Sequence, residues 1–277
     1  MAFGGVPVRE ALDGAVVAIG AAGSDTPRLD AELLLAHALG VDRAALVMDP
    51  DRPVEGPAVR AFQDLVRRRS VEREPVAYLL GVKGFRHLDL HVDRRVLIPR
   101  PETELLVEVA LELPPAASVV DVGTGSGAVA LAVKDERPDL RVAATDVSED
   151  ALAVARANAQ RLGLDVAFAR ADLLDGAPPA DAILSNPPYV ADSERAALAP
   201  EIVRHEPATA VFAGPDGLEV VRRLVAQAAA TPARFVALEV GEGQAPGVEE
   251  LLRRAGFADT ERRTDLAGIE RVVVGRR

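Results

Sequence analysis

The residues best equipped for chemistry are Asn186-Pro187-Pro188-Tyr189, which follow a short apolar run ending at Ser185. A planar NH₂ group is a weak nucleophile because its lone pair is delocalised. To react it needs acceptors for its two hydrogens and a fixed orientation. The side-chain oxygen of Asn186 can be one acceptor. The Pro187 carbonyl can be the other, since successive prolines hold a loop extended. Tyr189 offers a flat wall for a planar group. Asn186, Pro187 and Tyr189 are therefore the expected catalytic residues. Asn186, Pro187, Pro188 and Tyr189 are expected to bind the acceptor, with Asn186 also bordering the donor.

A donor site lies upstream. Val119–Val122 is an apolar strand that runs into Gly123-Thr124-Gly125-Ser126-Gly127 and then a helix. Glycines let a chain turn sharply and approach a ligand closely. A dinucleotide fingerprint is spaced GxGxxG and seats a pyrophosphate. Here the spacing is GxGxG, preceded by Asp121, and an acid there suits the cationic amino-acid end of S-adenosyl-L-methionine better than a pyrophosphate. Asp146 ends the next strand, where a carboxylate can accept two ribose hydroxyls. Asp172 and Leu173 follow the third strand and are placed for the adenine amino group and ring. The expected cofactor contacts are thus Gly123, Thr124, Gly125, Ser126, Gly127, Asp146, Asp172, Leu173 and Asn186. The expected reaction is in-line methyl transfer from a sulfonium to a planar amide or amino nitrogen. Orientation and electrostatics supply the catalysis, without an obligatory general base or a metal.

Alternating strands and helices must position these residues. Strands are expected at Ser118–Val122, Arg141–Thr145, Asp165–Ala169, Ala182–Leu184, Arg234–Glu239, Phe257–Arg262 and Glu270–Val274. Helices fit Glu102–Leu111, Ala128–Arg137, Glu149–Leu162, Gly217–Ala230 and Ala245–Ala255. That alternation predicts an α/β fold with a mainly parallel sheet. Before it, residues from about 6 to 78 read as short helices, including Arg28–Leu39 with Gly40 as its stop and Ala58–Arg69. Phe85–Val92 and Arg95–Ile98 read as a hairpin between the two parts.

Composition narrows the class. The 277 residues are 49% apolar and carry a net charge of −11, with Lys83 and Lys134 the only lysines. Nucleic-acid binders depend on clustered cations, and the one tight cluster, Arg67-Arg68-Arg69, reads as a solvated helix face. No direct nucleic-acid contact is expected. Cysteine is absent, which excludes disulfides and thiolate metal sites and fits a cytoplasmic setting. No apolar run reaches the roughly 18 residues of a membrane span, and no signal peptide is expected. His87, His91 and His205 lack metal-ligand spacing, His37 is expected in a core or interface, and Arg100 with Glu102 is expected to form a local ion pair.

Over nearly its whole length the chain resembles the protein-(glutamine-N5) methyltransferases of peptide-chain release factors, the PrmC/HemK family. RLDAELLLAHALG, EPVAYLLG, LIPRPETE, DVGTGSGAVALA, SNPPYV, RHEPATAVFAGPDGL and LEVGEGQ occur in the family's order. The resemblance implies a class I methyltransferase fold: a Rossmann-like seven-stranded sheet in the order 3-2-1-4-5-7-6, with a small N-terminal helical bundle and a connecting β-hairpin. It divides the chain into a helical substrate-docking domain (1–80), a hairpin linker (81–100) and a methyltransferase domain (101–277). It implies release factors as partners, the GGQ glutamine as acceptor, and a monomer. Leu173 departs from the family, which often has an aromatic residue there, so adenine stacking would be weaker. The competing reading is an exocyclic-amine methyltransferase acting on DNA adenine or rRNA, which poses the same nitrogen problem but needs to hold a flipped base and its backbone. A cofactor-binding module without activity would require an idle Asn186–Tyr189 loop.

Overall fold

The structure is a computed structural model that describes residues 5–277, so residues 1–4 of the expected helical domain lie outside the described residues. In chain order its elements are β1 (Val6–Pro7), α1 (Val8–Ala21), α2 (Pro27–Leu39), α3 (Arg43–Met48), β2 (Pro53–Val54), α4 (Pro57–Ser70) and α5 (Val76–Leu80). There follow β3 (Val82–Phe85), β4 (Leu88–His91), α6 (Glu104–Leu111), β5 (Ser118–Val122), α7 (Ala128–Glu136), β6 (Arg141–Asp146), α8 (Glu149–Leu162), β7 (Ala167–Arg170) and β8 (Ala182–Ser185). The last are α9 (Pro200–His205), α10 (Glu219–Ala229), β9 (Phe235–Glu239), α11 (Ala245–Arg254), β10 (Asp259–Thr264) and β11 (Glu270–Arg276). Two compact units result. One runs to Gly81 and includes Pro200–His205; the other comprises Val82–Ala199 and Glu206–Arg277.

In the first unit, α1 buries Val8, Leu12, Ala15 and Ile19, a spacing of three to four residues that lines one helix face. α2 starts on Pro27, whose missing N–H costs nothing at a first turn, and stops at Gly40 in the left-handed conformation at φ 63°. Leu34 and Leu35 of α2 and Phe62 and Leu65 of α4 complete the core. Each such fully buried side chain stabilises by about 1.5–3 kcal/mol. The short antiparallel pair β1–β2 falls where only helices were expected; two residues per strand are too few for any visible alternation.

Arg67-Arg68-Arg69 is not simply a solvated face. Arg69 is buried against Asp30 at 2.7 Å and Glu201 at 2.6 Å, while Arg68 pairs with Glu74 and Arg67 with Asp64 and Glu72. Every member of the cluster is neutralised by a carboxylate, which leaves no cationic patch there for phosphate. His37, expected in a core or interface, is exposed on α2.

In the second unit, the hairpin is made by β3 and β4. Leu88, Leu90 and Val92 point inward and are buried. Arg95–Ile98 forms no strand; Val96 and Ile98 are buried, but the Ile98 N–H goes to the Glu206 carboxylate at 3.3 Å instead of to a ladder. The sheet order is β10-β11-β9-β8-β5-β6-β7, the order the resemblance implies. β5 through β9 are parallel and β11 is antiparallel to β9 and β10. Alternation along the strands divides the core. Val119, Leu184 and Ala237 join the layer containing α6 and α7, and Val120, Ile183 and Val236 join the layer containing α10 and α11. Strand order reverses at β5, which lies between β6 and β8. A crevice outside the carboxyl ends of the strands at such a switch point is where α/β sheets bind ligands.

Candidate active site

The glycine loop leaves β5 with Gly123, Gly125 and Gly127 all at positive φ (74°, 56° and 87°). The N–H groups of Gly123 and Thr124 both donate to the Thr145 carbonyl at 2.8 and 2.9 Å, and that of Gly125 donates to Asp146 Oδ2 at 3.0 Å. These amides are consumed within the fold, so the loop presents no free N–H cradle of the kind that holds a pyrophosphate. A Cβ on Gly123 or Gly125 would meet nothing within 4 Å, whereas one on Gly127 would lie 2.9 Å from Leu131 Cδ1. The first two glycines face open space, and the third is required by packing of the helix start.

Asp121 is fully buried. Its Oδ2 accepts from the Thr124 hydroxyl at 2.6 Å and from the Ala130 N–H at 3.2 Å. Burial pushes its carboxyl up to about 6 against these hydrogen bonds. Asp121 therefore acts first as an internal brace of the loop. Asp146 accepts from Gly125 N–H and, through Oδ1, from Ser148 N–H at 2.9 Å. Burial raises its carboxyl and these amides pull it back. Two lone pairs per oxygen leave it further accepting capacity. Ser148, not Asp146, caps α8, accepting from Ala151 N–H.

A cavity of about 210 Å³ is lined by Gly123, Gly125, Asp146, Asp172, Leu173, Asn186 and Pro188, with Leu97, Pro207 and Ala210 among the other walls. Asn186, Gly123, Thr124, Gly125 and Ser126 also line a smaller one of about 50 Å³, together with Asp121 and Thr103. Residues from four strand ends are thus brought together. Gly127, Pro187 and Tyr189 lie outside both linings. Asp172 sits at the exposed rim, ion-paired with Arg223 of α10 at 2.7 Å. Leu173 is held at φ 59°, a conformation uncommon for a non-glycine residue.

The Asn186–Tyr189 loop is pinned at both ends. The Asn186 Nδ2 donates to Thr103 Oγ1 at 3.0 Å, which leaves Oδ1 as the free pole of the amide. Downstream, Gln244 Nε2 donates to the Tyr189 carbonyl at 2.9 Å while its Oε1 accepts from Gly241 N–H. The Tyr189 phenol donates to Glu239 Oε1 at 3.4 Å. Burial, then the Glu239 charge, raises that phenol to about 12, so it keeps its proton. Glu239, at the end of β9, is 1% exposed. Burial pushes its carboxyl up to about 7, opposed by the hydroxyls of Thr103 and Tyr189.

Sequence reasoning passed over Thr103, Gln244 and Glu206. Each lies inside a stretch that carries the family likeness, but nothing local ties it to Asn186 or to the cavity. Glu206 is the case that overturns an expectation: Arg100 does not pair with Glu102 but donates from Nη2 to Glu206 Oε1 at 2.6 Å. That ion pair and the Ile98 bond hold the segment 95–98 along the cavity wall.

Residues 10–81 match the PrmC N-terminal domain, and residues 101–229 match the methyltransferase small domain. The release factor glutamine methyltransferase of Deinococcus radiodurans is 42% identical over 98% of each chain, and that of Mycolicibacterium smegmatis is 43% identical over 98% of each. Among solved structures, the hMettl16 catalytic domain in complex with MAT2A 3′UTR hairpin 6 aligns with a TM-score of 0.55 at 17% identity, over 79% of this chain and 81% of that one. Human methyltransferase 10 domain containing protein aligns with a TM-score of 0.50 at 16% identity, over 68% and 88%. The structural likenesses establish the fold, and the near-complete, roughly 40% identical matches establish more: the chain belongs to the release factor glutamine methyltransferase family.

Proposed function

We propose that this protein transfers a methyl group from S-adenosyl-L-methionine to the side-chain amide nitrogen (N5) of the glutamine in the GGQ motif of peptide-chain release factors. The observation that carries the reading is the Asn186–Thr103 hydrogen bond. With Nδ2 committed inward, the Asn186 amide offers the cavity an acceptor, which is what an incoming NH₂ group requires.

The residues present fit the cofactor. Gly123 and Gly125 face space into which no side chain intrudes, Asp146 keeps accepting capacity for ribose hydroxyls, and Leu173 supplies an apolar wall. Thr124 and Ser126 line the smaller cavity beside Asn186, next to the reacting end. Asp172 borders the adenine end from the rim and Gly127 shapes the loop. When bound, S-adenosylmethionine supplies an electrophilic methyl carbon on a sulfonium and leaves as the thioether.

The chain's own residues orient the nitrogen. Asn186 Oδ1 accepts one amide hydrogen and the Pro187 carbonyl, to which no described group donates, accepts the other. Pro187 and Pro188 hold the loop extended, and the Tyr189 ring walls the planar group. Methylation would form an N–C bond at the expense of the S–C bond, and the proton lost by the nitrogen would pass to solvent. Fixing two reacting groups in line is worth about 7–11 kcal/mol in favourable cases.

The unit ending at Gly81 is the proposed docking domain for the release factor, in a monomeric, cytoplasmic enzyme. The pairing of Arg67, Arg68 and Arg69 with carboxylates supports a protein substrate over a polyanion. No helix among the described residues is long and apolar enough to cross a membrane.

The test is methyl transfer to purified release factor from labelled S-adenosylmethionine, with mass spectrometry of the GGQ peptide. One added methyl on that glutamine is the expected result. Label on RNA or DNA instead, with none on release factor, overturns the reading.

A further inference from the structure

Gln244 immediately precedes α11, and both poles of its amide are taken by main chain. Its Oε1 accepts from the Gly241 N–H at 2.9 Å, and its Nε2 donates to the Tyr189 carbonyl at 2.9 Å. A backbone N–H can only donate and a backbone carbonyl can only accept. The Gln244 amide therefore fits one way round and no other. The surroundings are tight. A Cβ on Gly217 would lie 2.3 Å from the Tyr189 carbonyl oxygen and 2.9 Å from Gln244 Nε2, and one on Gly241 would lie 3.2 Å from Tyr189 Cδ2.

What the Gln244 bond fixes is a peptide plane. The Tyr189–Val190 peptide is rigid, so holding its carbonyl sets the Tyr189 Cα and the direction in which the ring leaves it. Downstream, Val190 is tied to the chain beside it, donating to the Val211 carbonyl at 3.1 Å and accepting from the Ala213 N–H at 3.0 Å. Upstream, Pro187 and Pro188 have φ locked near about −65°, so few soft torsions separate Tyr189 from the Pro187 carbonyl and the Asn186 amide. Gln244 itself lies outside the linings of both cavities.

We propose that Gln244 is a positioning residue for methyl transfer: by holding the Tyr189 carbonyl it fixes the Pro187 carbonyl and the Tyr189 ring against the acceptor amide, without touching substrate or cofactor. This rests on the reading that the Asn186–Tyr189 loop holds that amide.

The experiment compares Gln244→Met, Gln244→Glu and Asn186→Ala with the wild type, by turnover on release factor and by calorimetry of S-adenosylmethionine binding. Gln244→Met keeps the length of the side chain and removes both hydrogen bonds. It should lower kcat roughly 10- to 100-fold with cofactor affinity unchanged. Gln244→Glu keeps the acceptor for Gly241 but turns a second oxygen toward the Tyr189 carbonyl. Ionised, that oxygen repels the carbonyl; protonated, it donates as the amide did. A half-buried carboxyl facing a carbonyl oxygen titrates above the ordinary value of about 4.3. The kcat of Gln244→Glu relative to wild type should therefore be low at about pH 8 and rise several-fold toward about pH 5.5. The charged groups that act on Tyr189, namely Glu239, Arg271, Arg100 and Glu102, are the same in both enzymes. Normal kcat in both Gln244 variants beside an impaired Asn186→Ala overturns the proposal and leaves the acceptor loop standing. So does a loss that falls on cofactor affinity instead of kcat, or a Gln244→Glu ratio that is flat with pH, which assigns the loss to packing. A normal rate for Asn186→Ala overturns the role of the loop and this proposal with it. Thermal melts confirm that each variant is folded at the assay temperature.

Discussion

A Cβ placed on Gly217 would lie 2.3 Å from the carbonyl oxygen of Tyr189. That oxygen also accepts from Gln244 Nε2, so Gly217 and Gln244 press on the same backbone atom from two distant stretches of chain. Gly217 itself is at φ 72°. Gly217→Ala therefore meets both strain and a backbone clash, and should push the Tyr189–Ala191 backbone away. The expected result is a fall in kcat of roughly 10²-fold with near-normal cofactor affinity. Gly243→Ala is the control: it has φ 80° but nothing within 4 Å of the added Cβ, so it should cost only about 1–2 kcal/mol of stability. Turnover on release factor and thermal unfolding of the pair check this. Equal turnover in the two variants would show that Tyr189 tolerates displacement.

Asp146 joins the second strand end to the glycine loop. Asp146→Ala removes both the Gly125 N–H contact and the proposed ribose acceptor. At about 1.5–3 kcal/mol per hydrogen bond to a charged group, S-adenosylmethionine affinity should fall by about 10- to 100-fold or more. Calorimetric titration reads this directly, and an unchanged dissociation constant would remove Asp146 from the cofactor site.

Asp121 makes stability depend on pH in the ligand-free protein. Its carboxyl is raised from 3.8 to about 6 by burial, so the folded state holds the proton more tightly than the unfolded chain. The contribution is fully present below about pH 3.8 and is lost as pH rises through about 6. Its size is about 3 kcal/mol. Asp121→Asn removes the titration, so the variant should gain on the wild type as pH rises from 4 to 7 and hold that gain above. Urea unfolding across this range tests it, and parallel curves would mean that Asp121 does not titrate there.

The Asp30–Arg69 pair is buried on both sides, and Asp30 also receives the hydroxyls of Ser24 and Thr26. Asp30→Ala leaves a buried guanidinium short of one carboxylate, at an expected cost of roughly 3–5 kcal/mol. Chemical unfolding of the variant should show it, and a loss under 1 kcal/mol would mean that Glu201 alone satisfies Arg69.

Much of this molecule is local and therefore readable from the chain alone. Glu149–Leu162 matches α8 residue for residue because Ser148 and Gly163 cap it and its apolar spacing has one period. The seven sheet strands were each located to within a few residues, most easily the buried parallel strands β5, β8 and β9, which are short apolar runs. The glycine loop, Asp146 and Asn186-Pro187-Pro188-Tyr189 were likewise recognisable, because each sits where a strand stops.

What the chain alone left undecided is which distant partner claims each polar group. Arg100 was matched with its neighbour Glu102, whereas the fold gives it Glu206, 106 positions away. Thr103 looked like part of a helix start and Glu239 like a strand end. Only the fold brings Thr103 to Asn186, 83 residues later, and Glu239 to Tyr189, 50 residues earlier. Propensity and periodicity act over a few residues, but hydrogen-bond direction and burial depend on the whole packing. So the elements and the loops at the strand ends were legible in the sequence, while the partner of the Asn186 amide, the clamp on Tyr189 and the raised acids Asp121 and Glu239 were decided only by the tertiary structure.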